Sequence, residues 1–278
     1  MNDILMVSHF HKEFPFNFQS SWMKAAYAGS HQPYGYHQPF GSKDDWINTT
    51  QHKSIHEYQH YYSGCHEDEF LRAMGQQASE YYLWKYGQAD YIGCTTYRRY
   101  LKLDGGIQDG VIKVGMAPTQ EVANYLSSEE QKAAAFRLFD NGADAITNHL
   151  TPLPCSVKDQ YLQSQPREYL DLFIEGINEL MPDYRNCMNW WDGNQCSFET
   201  TYIMRKQLFK KYVSELFELL EYVWQHASNT YPRQQTTSEP LPWRYPGFLG
   251  ERFVSFFLYA NSVRNNITMI RVPLVILE

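Results

Sequence analysis

Short apolar segments typical of buried strands alternate along this sequence with longer segments of helical periodicity. The strand-type segments are 4–7, 89–100, 110–116, 144–147 and 200–204. The helix-type segments are 71–86, 131–139, 166–181, 206–226 and 247–260. This alternation favours an α/β sandwich in which a mostly parallel central sheet carries helices on its faces.

Several helices have recognisable start and stop signals. Ser128 precedes two glutamates, so a side-chain cap and two acidic residues favour a helix that begins there. Pro166 opens a segment whose apolar residues recur at three- and four-residue spacing, and Pro182 ends it. The segment from Lys206 to about His226 keeps one broad apolar face, which predicts a long helix packed on the sheet.

Composition limits the class of protein. The chain has 278 residues, of which 43% are hydrophobic, so it is not disordered, and no linker divides it. We therefore predict one domain over 1–278. The net charge of −7 gives no general attraction for nucleic acid, which we do not expect as a partner. Aromatic residues make up 16% of the chain, and those outside the core suit a cleft for a flat, hydroxylated ligand.

The cysteines and the N-terminus favour the cytoplasm. The five cysteines form no CxxC pair, which is typical of reduced thiols rather than of a disulfide framework or a zinc ribbon. The N-terminus lacks the basic and apolar regions of a signal peptide. No segment reaches the roughly 20 apolar residues of a membrane span. We expect a cytoplasmic protein with at most peripheral association at the inner face of the cytoplasmic membrane.

Familiar catalytic motifs are absent from the sequence. It contains no GxGxxG, Walker A, GxSxG, HExxH or Asp-x-Asp motif. His52, His56 and His60 are spaced by four, and on a helix they would share one face able to bind a metal ion. A polar surface segment explains the same spacing, because charged and amide residues are interleaved with the histidines. Both interpretations stay open.

Two adjacent arginines, Arg98 and Arg99, follow the apolar part of the strand-type segment 89–100. Ligands of α/β proteins bind outside the carboxyl ends of the strands. A guanidinium matches phosphate oxygens in geometry and stays charged, so this pair suits a diphosphate. Alternatively, one of the two pairs with a structural carboxylate, because consecutive strand residues point to opposite faces.

Three carboxylates stand where a general base is useful. Glu199 and Asp192 precede the strand-type segment 200–204, and Glu251 lies near the start of the last helix-type segment. Partial burial beside aromatic residues adjusts the pKa of a carboxylate toward that role. Alternatively, Glu251 suits a helix dipole or pairs with Arg252.

Three blocks of this sequence resemble a family of bacterial capsular-polysaccharide and lipopolysaccharide biosynthesis proteins, long described as a domain of unknown function and regarded as glycosyltransferases. The blocks are YLWK at 82–85 with ADYIG at 89–93 and YRRY at 97–100, YIMRKQLFKKY at 202–212, and GFLGERF at 247–253. VSH at 7–9 resembles the start of the family, and the blocks agree in order and spacing. The resemblance extends over almost the whole chain.

Three positions depart from the family pattern. The family has a histidine where Thr96 stands, a glutamate where Gln76 stands and an asparagine where Thr200 stands. If these positions contact the donor sugar or a metal, the departures imply a different sugar from that of other members.

The resemblance implies a GT-A-like, Rossmann-like fold with a nucleotide-sugar-binding half at 1–150 and an acceptor-side half at 151–278. The implied activity is transfer of a hexose, such as galactose in pyranose or furanose form, from a nucleotide diphosphate, with UDP as first choice. The implied acceptor is a hydroxyl of a capsule or lipopolysaccharide glycan, free or lipid-linked.

The resemblance also distributes roles among residues of this sequence. The donor-binding residues would be Ser8, His9, Thr96, Tyr97, Arg98 and Arg99. Glu251 is the first choice of catalytic base, followed by Asp192 and Glu199. The acceptor side would include Trp190, Trp191 and Arg252, although a core position explains at least one tryptophan equally well.

The need for a metal and the kind of activity both stay open. Many GT-A enzymes hold Mn²⁺ or Mg²⁺ with an Asp-x-Asp motif, which this sequence lacks, and Arg98 and Arg99 would supply part of that charge. Two alternatives to hexosyl transfer remain: a carbohydrate-binding protein without catalysis, and another nucleotide-dependent transferase.

Overall fold

The computed structural model of the chain describes residues 3–10, 16, 18, 20–27, 47–48, 76–105, 112–227 and 245–278. The strands of this part are β1 (Ile4–Phe10), β2 (Met23–Tyr27), β3 (Ile47–Asn48), β4 (Tyr91–Thr96), β5 (Arg99–Leu101), β6 (Lys113–Met116), β7 (Ala145–Asn148), β8 (Thr151–Pro152), β9 (Gln195–Cys196), β10 (Tyr202–Arg205), β11 (Met269–Val272) and β12 (Leu274–Leu277). The helices are α1 (Gln77–Tyr86), α2 (Gln120–Leu126), α3 (Glu129–Asp140), α4 (Val157–Leu162), α5 (Arg167–Leu180), α6 (Lys206–His226) and α7 (Tyr245–Asn265), with a 3₁₀ segment at Pro182–Asp192.

The main sheet is mostly parallel. Its strands lie in the order β11-β7-β10-β4-β1-β2-β3, and β8 and β9 form a separate pair. All neighbours along this order are parallel except that β10 runs antiparallel to both β4 and β7. The predicted α/β class with a mostly parallel central sheet is therefore confirmed.

Three further strands extend the sheet at the carboxyl end of β4. The chain turns at Tyr97 and Arg98, so that β5 runs back beside β4 with Arg99 opposite Thr96. Strand β12 pairs antiparallel with β5 and parallel with β6. The apolar segment near the C-terminus is thus two strands, because Pro273 separates β11 from β12.

Each face of the sheet carries its own hydrophobic core. Adjacent residues of β10 point to opposite faces, so Tyr202 and Met204 join the core under α5, α6 and α7, whereas Ile203 joins the core under α2 and α3. The predicted bounds of the helix Lys206–His226 are confirmed. Within the described ranges, none of the helices is both long enough and apolar enough to cross a bilayer.

The start signals read from the sequence are confirmed at two helices. The Ser128 hydroxyl accepts a hydrogen bond from the backbone N–H of Gln131 and caps α3. Pro166 is the residue before the first turn of α5. Four of the five cysteines lie in the described part of the chain, and these four are free thiols.

Candidate functional site

The ends of the parallel strands bring together segments that are distant in sequence. Strands β1, β4, β7 and β11 all end at one edge of the sheet, and the antiparallel strand β10 begins there, with Tyr202 opposite Cys94 and Thr147. We call this the carboxyl edge. Residues that precede β10 therefore lie beside residues that follow the parallel strands, which is where α/β proteins bind ligands.

Glu199 is held at the carboxyl edge by three polar side chains. Lys113 Nζ lies 2.8 Å from Glu199 Oε1, and Asn148 Nδ2 donates a 3.2 Å hydrogen bond to Oε2. The Ser197 hydroxyl lies 2.7 Å from Asn148 Oδ1 and 3.4 Å from Glu199 Oε2. The Glu199 side chain is 9% exposed and that of Lys113 is 37% exposed. These four residues, the Glu199 cluster, fix one carboxylate beside one balancing cation.

Glu251 borders the same segment from helix α7. One turn further along α7, the Ser255 hydroxyl accepts a hydrogen bond from Ser197 N and donates one to Ser197 O, both 3.1 Å long. Side chains four residues apart share a helix face, so half-buried Glu251 lies on the side of α7 that meets this segment. Burial raises the pKa of the Cys196 thiol to about 12, and the charges of Glu251 and Glu199 both add to the increase. The structure thus brings two of the three predicted carboxylates together.

Asp192 lies apart from the Glu199 cluster. Its side chain is exposed at the end of the 3₁₀ segment, where Lys158 Nζ pairs with it at 2.9 Å. No contact in the described part of the chain joins it to Glu199. Asp192 therefore forms an exposed ion pair outside the Glu199 cluster, and its catalytic role stays a prediction.

The two tryptophans predicted on the acceptor side are core residues. Trp191 is fully buried and packs edge-on against Phe173 and Trp190. Trp190 is also buried and contacts Phe256 at 5.7 Å between ring centroids. A fully buried ring has no face to offer a glycan, so the alternative of a core position is confirmed for Trp191.

Arg252 is buried as well, which corrects its predicted role on the acceptor side. It is 1% exposed and donates hydrogen bonds to the Phe248 carbonyl oxygen, at 2.6 Å, and to Gln160 Oε1. Its guanidinium also lies over the rings of Tyr161 and Phe198, and burial lowers its pKa. Arg252 therefore joins α7 to α4 inside the fold.

The polar end of β1 is also committed to internal contacts. The Ser8 hydroxyl lies 3.1 Å from the Tyr100 hydroxyl, and His9 Nδ1 lies 3.0 Å from the Ser79 hydroxyl. Ser8 and His9 are both buried, in register with Thr95 and with half-buried Thr96 of β4. Of the predicted donor-side residues, Ser8 is fully buried, and His9 and Tyr97 are each 5% exposed.

The two adjacent arginines follow the end of β4, as the sequence indicates. Arg98 is exposed in the turn, with its guanidinium carbon 5.2 Å from the centre of the ring of buried Tyr97. Arg99 is half-buried and opens β5. Neither guanidinium has a carboxylate at ion-pair distance among the residues that the structure describes. Within the described part of the chain, two cationic groups without an anionic partner thus stand at the carboxyl edge.

Sequence reasoning missed several polar residues of this edge. Asn148 and His149 come directly after a predicted strand, so the same signal that selected Arg98 applies to them. Lys113 lies within a strand-type segment and Arg271 within an apolar one, and nothing in the sequence connects them to Glu199. Arg271 Nη1 donates a 3.0 Å hydrogen bond to the Asn148 carbonyl oxygen.

The first turn of α1 closes the same region from another side. Gln76 Nε2 donates a 2.7 Å hydrogen bond to the carbonyl oxygen of Thr200, whose φ of +46° is unusual for a β-branched residue. At Gly250 of α7, a Cβ atom would lie 2.2 Å from Gln77 Nε2, so the side chain of Gln77 lies directly against this glycine and would have to shift if a side chain were added there.

Among the described residues of this edge, the donor atoms are not grouped for a divalent cation. Glu199 already balances Lys113, and β4 ends in two threonines that are followed by a tyrosine and two arginines. Divalent cations need several oxygen or imidazole ligands, and no three His, Cys, Asp or Glu side chains are grouped for one in the described ranges. His52, His56 and His60 lie outside those ranges.

Fold and site together define an α/β protein with a polar site at the carboxyl edge of a mostly parallel sheet. The chain belongs to the family called domain of unknown function DUF4422, whose model matches residues 76–262. Its fold is similar to the apo structure of WbbM, a bifunctional glycosyltransferase, with a TM-score of 0.72 and 18% sequence identity. The match covers 100% of this chain and 46% of the WbbM chain, so this chain spans about half the length of WbbM. None of the curated proteins compared with the sequence matches it.

Proposed function

We propose that this protein is a glycosyltransferase that moves a hexose from a nucleotide-diphosphate donor to a hydroxyl group of a glycan. The observation that carries the proposal is the arrangement at the carboxyl edge. There, two carboxylates, Glu199 and Glu251, border one segment. Arg98 and Arg99 follow the neighbouring strand β4, and neither has a carboxylate partner among the residues that the structure describes. The similarity of the fold to a glycosyltransferase structure supports the same reaction class.

Arg98 and Arg99 would bind the diphosphate of the donor. When the bond from sugar to phosphate breaks, negative charge develops on the leaving diphosphate, and a guanidinium stabilises that charge by paired hydrogen bonds. UDP is our first choice of nucleotide, and galactose in pyranose or furanose form is our first choice of sugar. The acceptor would be a growing capsule or lipopolysaccharide glycan, free or linked to lipid.

Glu251 would remove the proton from the acceptor hydroxyl. The acceptor oxygen then bonds to the anomeric carbon, the nucleotide diphosphate leaves, and the proton stays on the carboxylate. Glu251 is half-buried at the border of this segment. Both oxygens of Glu199 contact Lys113, Asn148 or Ser197, which hold this carboxylate in place. Glu199 would instead contribute fixed negative charge near the sugar that becomes positive in the transition state.

Nucleotide binding tests the donor class. We would measure thermal unfolding with UDP, GDP, CMP and TDP, each with and without Mn²⁺. A ligand at about 100 times its dissociation constant stabilises a protein by roughly 2.7 kcal/mol, which raises the Tm by several degrees at roughly 2–4 °C per kcal/mol. We expect a shift with UDP alone. If no nucleotide shifts the Tm, the protein is not a nucleotide-dependent transferase.

Two isosteric variants test the roles of the carboxylates. Glu251→Gln should lower UDP release from UDP-galactose in the presence of a galactoside acceptor by about 100-fold or more, as expected for loss of a general base. Glu199→Gln should lower it less, and Glu218→Gln, on the exposed side of α6, should leave it unchanged. If Glu251→Gln retains full turnover, Glu251 is not the base.

A further inference from the structure

Arg271 is a charged residue for which the described structure provides no balancing anion. It lies at the carboxyl edge near the end of β11, in register with Thr147 of β7. It is half-buried, and burial lowers the pKa of its guanidinium. Its hydrogen bond within the described ranges goes to the Asn148 carbonyl oxygen, and no carboxylate of those ranges lies at ion-pair distance from it. A partly desolvated charge without a partner is costly unless a ligand supplies one.

The neighbouring charges do not balance Arg271. Glu199 is the acid of the adjacent cluster, and Lys113 already pairs with it at 2.8 Å. His149 is the next residue after Asn148, and the charge of Arg271 adds to burial in lowering its pKa. The side chain of Asn148 binds Glu199 while its backbone carbonyl binds Arg271, so the unbalanced guanidinium adjoins the Glu199 cluster.

A purely structural role explains only part of this arrangement. Capping one carbonyl oxygen at the end of β7 needs a single N–H, which a neutral side chain supplies without a desolvated charge. A guanidinium carries five N–H donors in a planar fork. One N–H of Arg271 donates to the Asn148 carbonyl oxygen. The guanidinium still has a pair of N–H groups that can bind two oxygens of a phosphate.

We propose that Arg271 and the adjacent His149 form a phosphate-binding subsite at the carboxyl edge, next to the Glu199 cluster. The identity of the ligand rests on the proposed function, whereas the existence of the subsite does not. The same phosphate group could come from either of two ligands: the diphosphate of the nucleotide donor or a phosphate carried by a lipid-linked acceptor.

Calorimetric titration with inorganic pyrophosphate tests the subsite in the folded, full-length protein. We expect Arg271→Gln to weaken pyrophosphate binding at least 10-fold and His149→Ala to weaken it about threefold. Arg264→Gln is the matched control, since Arg264 is paired with Asp183 at 3.0 Å, and it should bind pyrophosphate like the wild type. Wild-type protein that binds no pyrophosphate, or Arg271→Gln protein that binds it normally, would overturn the proposal.

A competition with UDP identifies the source of the phosphate, and two milder variants control for misfolding of Arg271→Gln. If saturating UDP abolishes Arg271-dependent binding, the subsite holds the donor diphosphate; if binding persists, it holds a phosphate of the acceptor. Arg271→Lys keeps the positive charge but loses the planar set of N–H donors of the guanidinium, so it should weaken pyrophosphate binding in a protein that still folds. If Arg271→Lys and His149→Ala both bind pyrophosphate normally, the subsite is contradicted. Arg271-dependent binding without any sugar transfer would contradict only the proposed function.

Discussion

The side-chain amide of Gln76 donates a 2.7 Å hydrogen bond to the carbonyl oxygen of Thr200, so two of the three positions that depart from the family pattern are in contact. Thr200 has a φ of +46°, in the left-handed region. Asparagine tolerates this region much better than a β-branched residue does. An asparagine, which the resemblance implies for this position, would therefore suit the backbone, and Thr200 holds the turn with strain.

Replacing Thr200 by asparagine should stabilise the protein. Backbone strain of this kind costs about 1–3 kcal/mol, and relief of part of it should raise the free energy of unfolding by about 1 kcal/mol. Urea unfolding at equilibrium measures the change. Thr200→Val is the matched control, because valine keeps the branched shape and the strain and should give no gain. Equal stabilities of the two variants would show that the left-handed backbone costs nothing here.

The Lys113–Glu199 pair should show a measurable coupling. Glu199 is almost buried and Lys113 is partly exposed, so the pair falls between exposed pairs and fully buried ones. We expect a double-mutant cycle of Lys113→Met and Glu199→Gln, followed by urea unfolding, to give an interaction energy of about 1 kcal/mol. The cycle Lys158→Met with Asp192→Asn, at an exposed pair, should give less. Additive effects at Lys113 and Glu199 would mean that the lysine does not hold the carboxylate.

The sequence predicts the strands and helices well because their signals are local. The apolar face of Lys206–His226 and the cap at Ser128 depend on residues within a few turns, and both are confirmed. The position of Glu199 at the strand edge also follows from a local signal, a polar residue just before a strand. The C-terminal apolar run, which Pro273 interrupts, has the length of one strand in the sequence but forms two, because β12 pairs with the distant strands β5 and β6.

The polar partners at the site could not be predicted, because they are far apart in the sequence. Lys113 and Glu199 are separated by 86 positions, and Arg271 and Asn148 by 123. The sequence also does not predict which arginine side chain is buried. Arg252 resembles a ligand-binding residue until the structure places Gln160 and the rings around its guanidinium.

Removal of Arg252 should lower stability without weakening nucleotide binding. Arg252→Ala loses buried packing and leaves the Phe248 carbonyl oxygen without its side-chain donor, which should cost about 2–4 kcal/mol in urea unfolding. The dissociation constant for UDP, measured on the folded fraction at low temperature, should stay within twofold of the wild-type value. An unchanged stability together with a weaker affinity would restore the ligand-contacting role that the sequence indicated.

The buried acid Glu80 should make the stability of the protein depend on pH. Glu80 is fully buried, with the Tyr202 hydroxyl donating to one of its oxygens at 2.7 Å and the Tyr212 hydroxyl to the other at 3.2 Å. Burial raises its pKa from 4.5 to about 7 despite these hydrogen bonds. Because the folded protein holds this proton more tightly than the unfolded chain, the contribution of Glu80 is fully present below about pH 4.5 and is lost as the pH rises through 7.

Glu80→Gln isolates this effect, because glutamine keeps the shape but does not ionise. Its amide oxygen accepts from one tyrosine hydroxyl, and its NH₂ group donates to the other. The free energy of unfolding of the wild type minus that of Glu80→Gln should fall by up to about 1.4 kcal/mol per pH unit between pH 5 and 7, or about 3 kcal/mol in all. Urea unfolding at half-unit pH steps measures it. Exposed Glu218→Gln should differ from the wild type by a nearly constant amount. A constant difference for Glu80→Gln as well would mean that Glu80 does not titrate in this range.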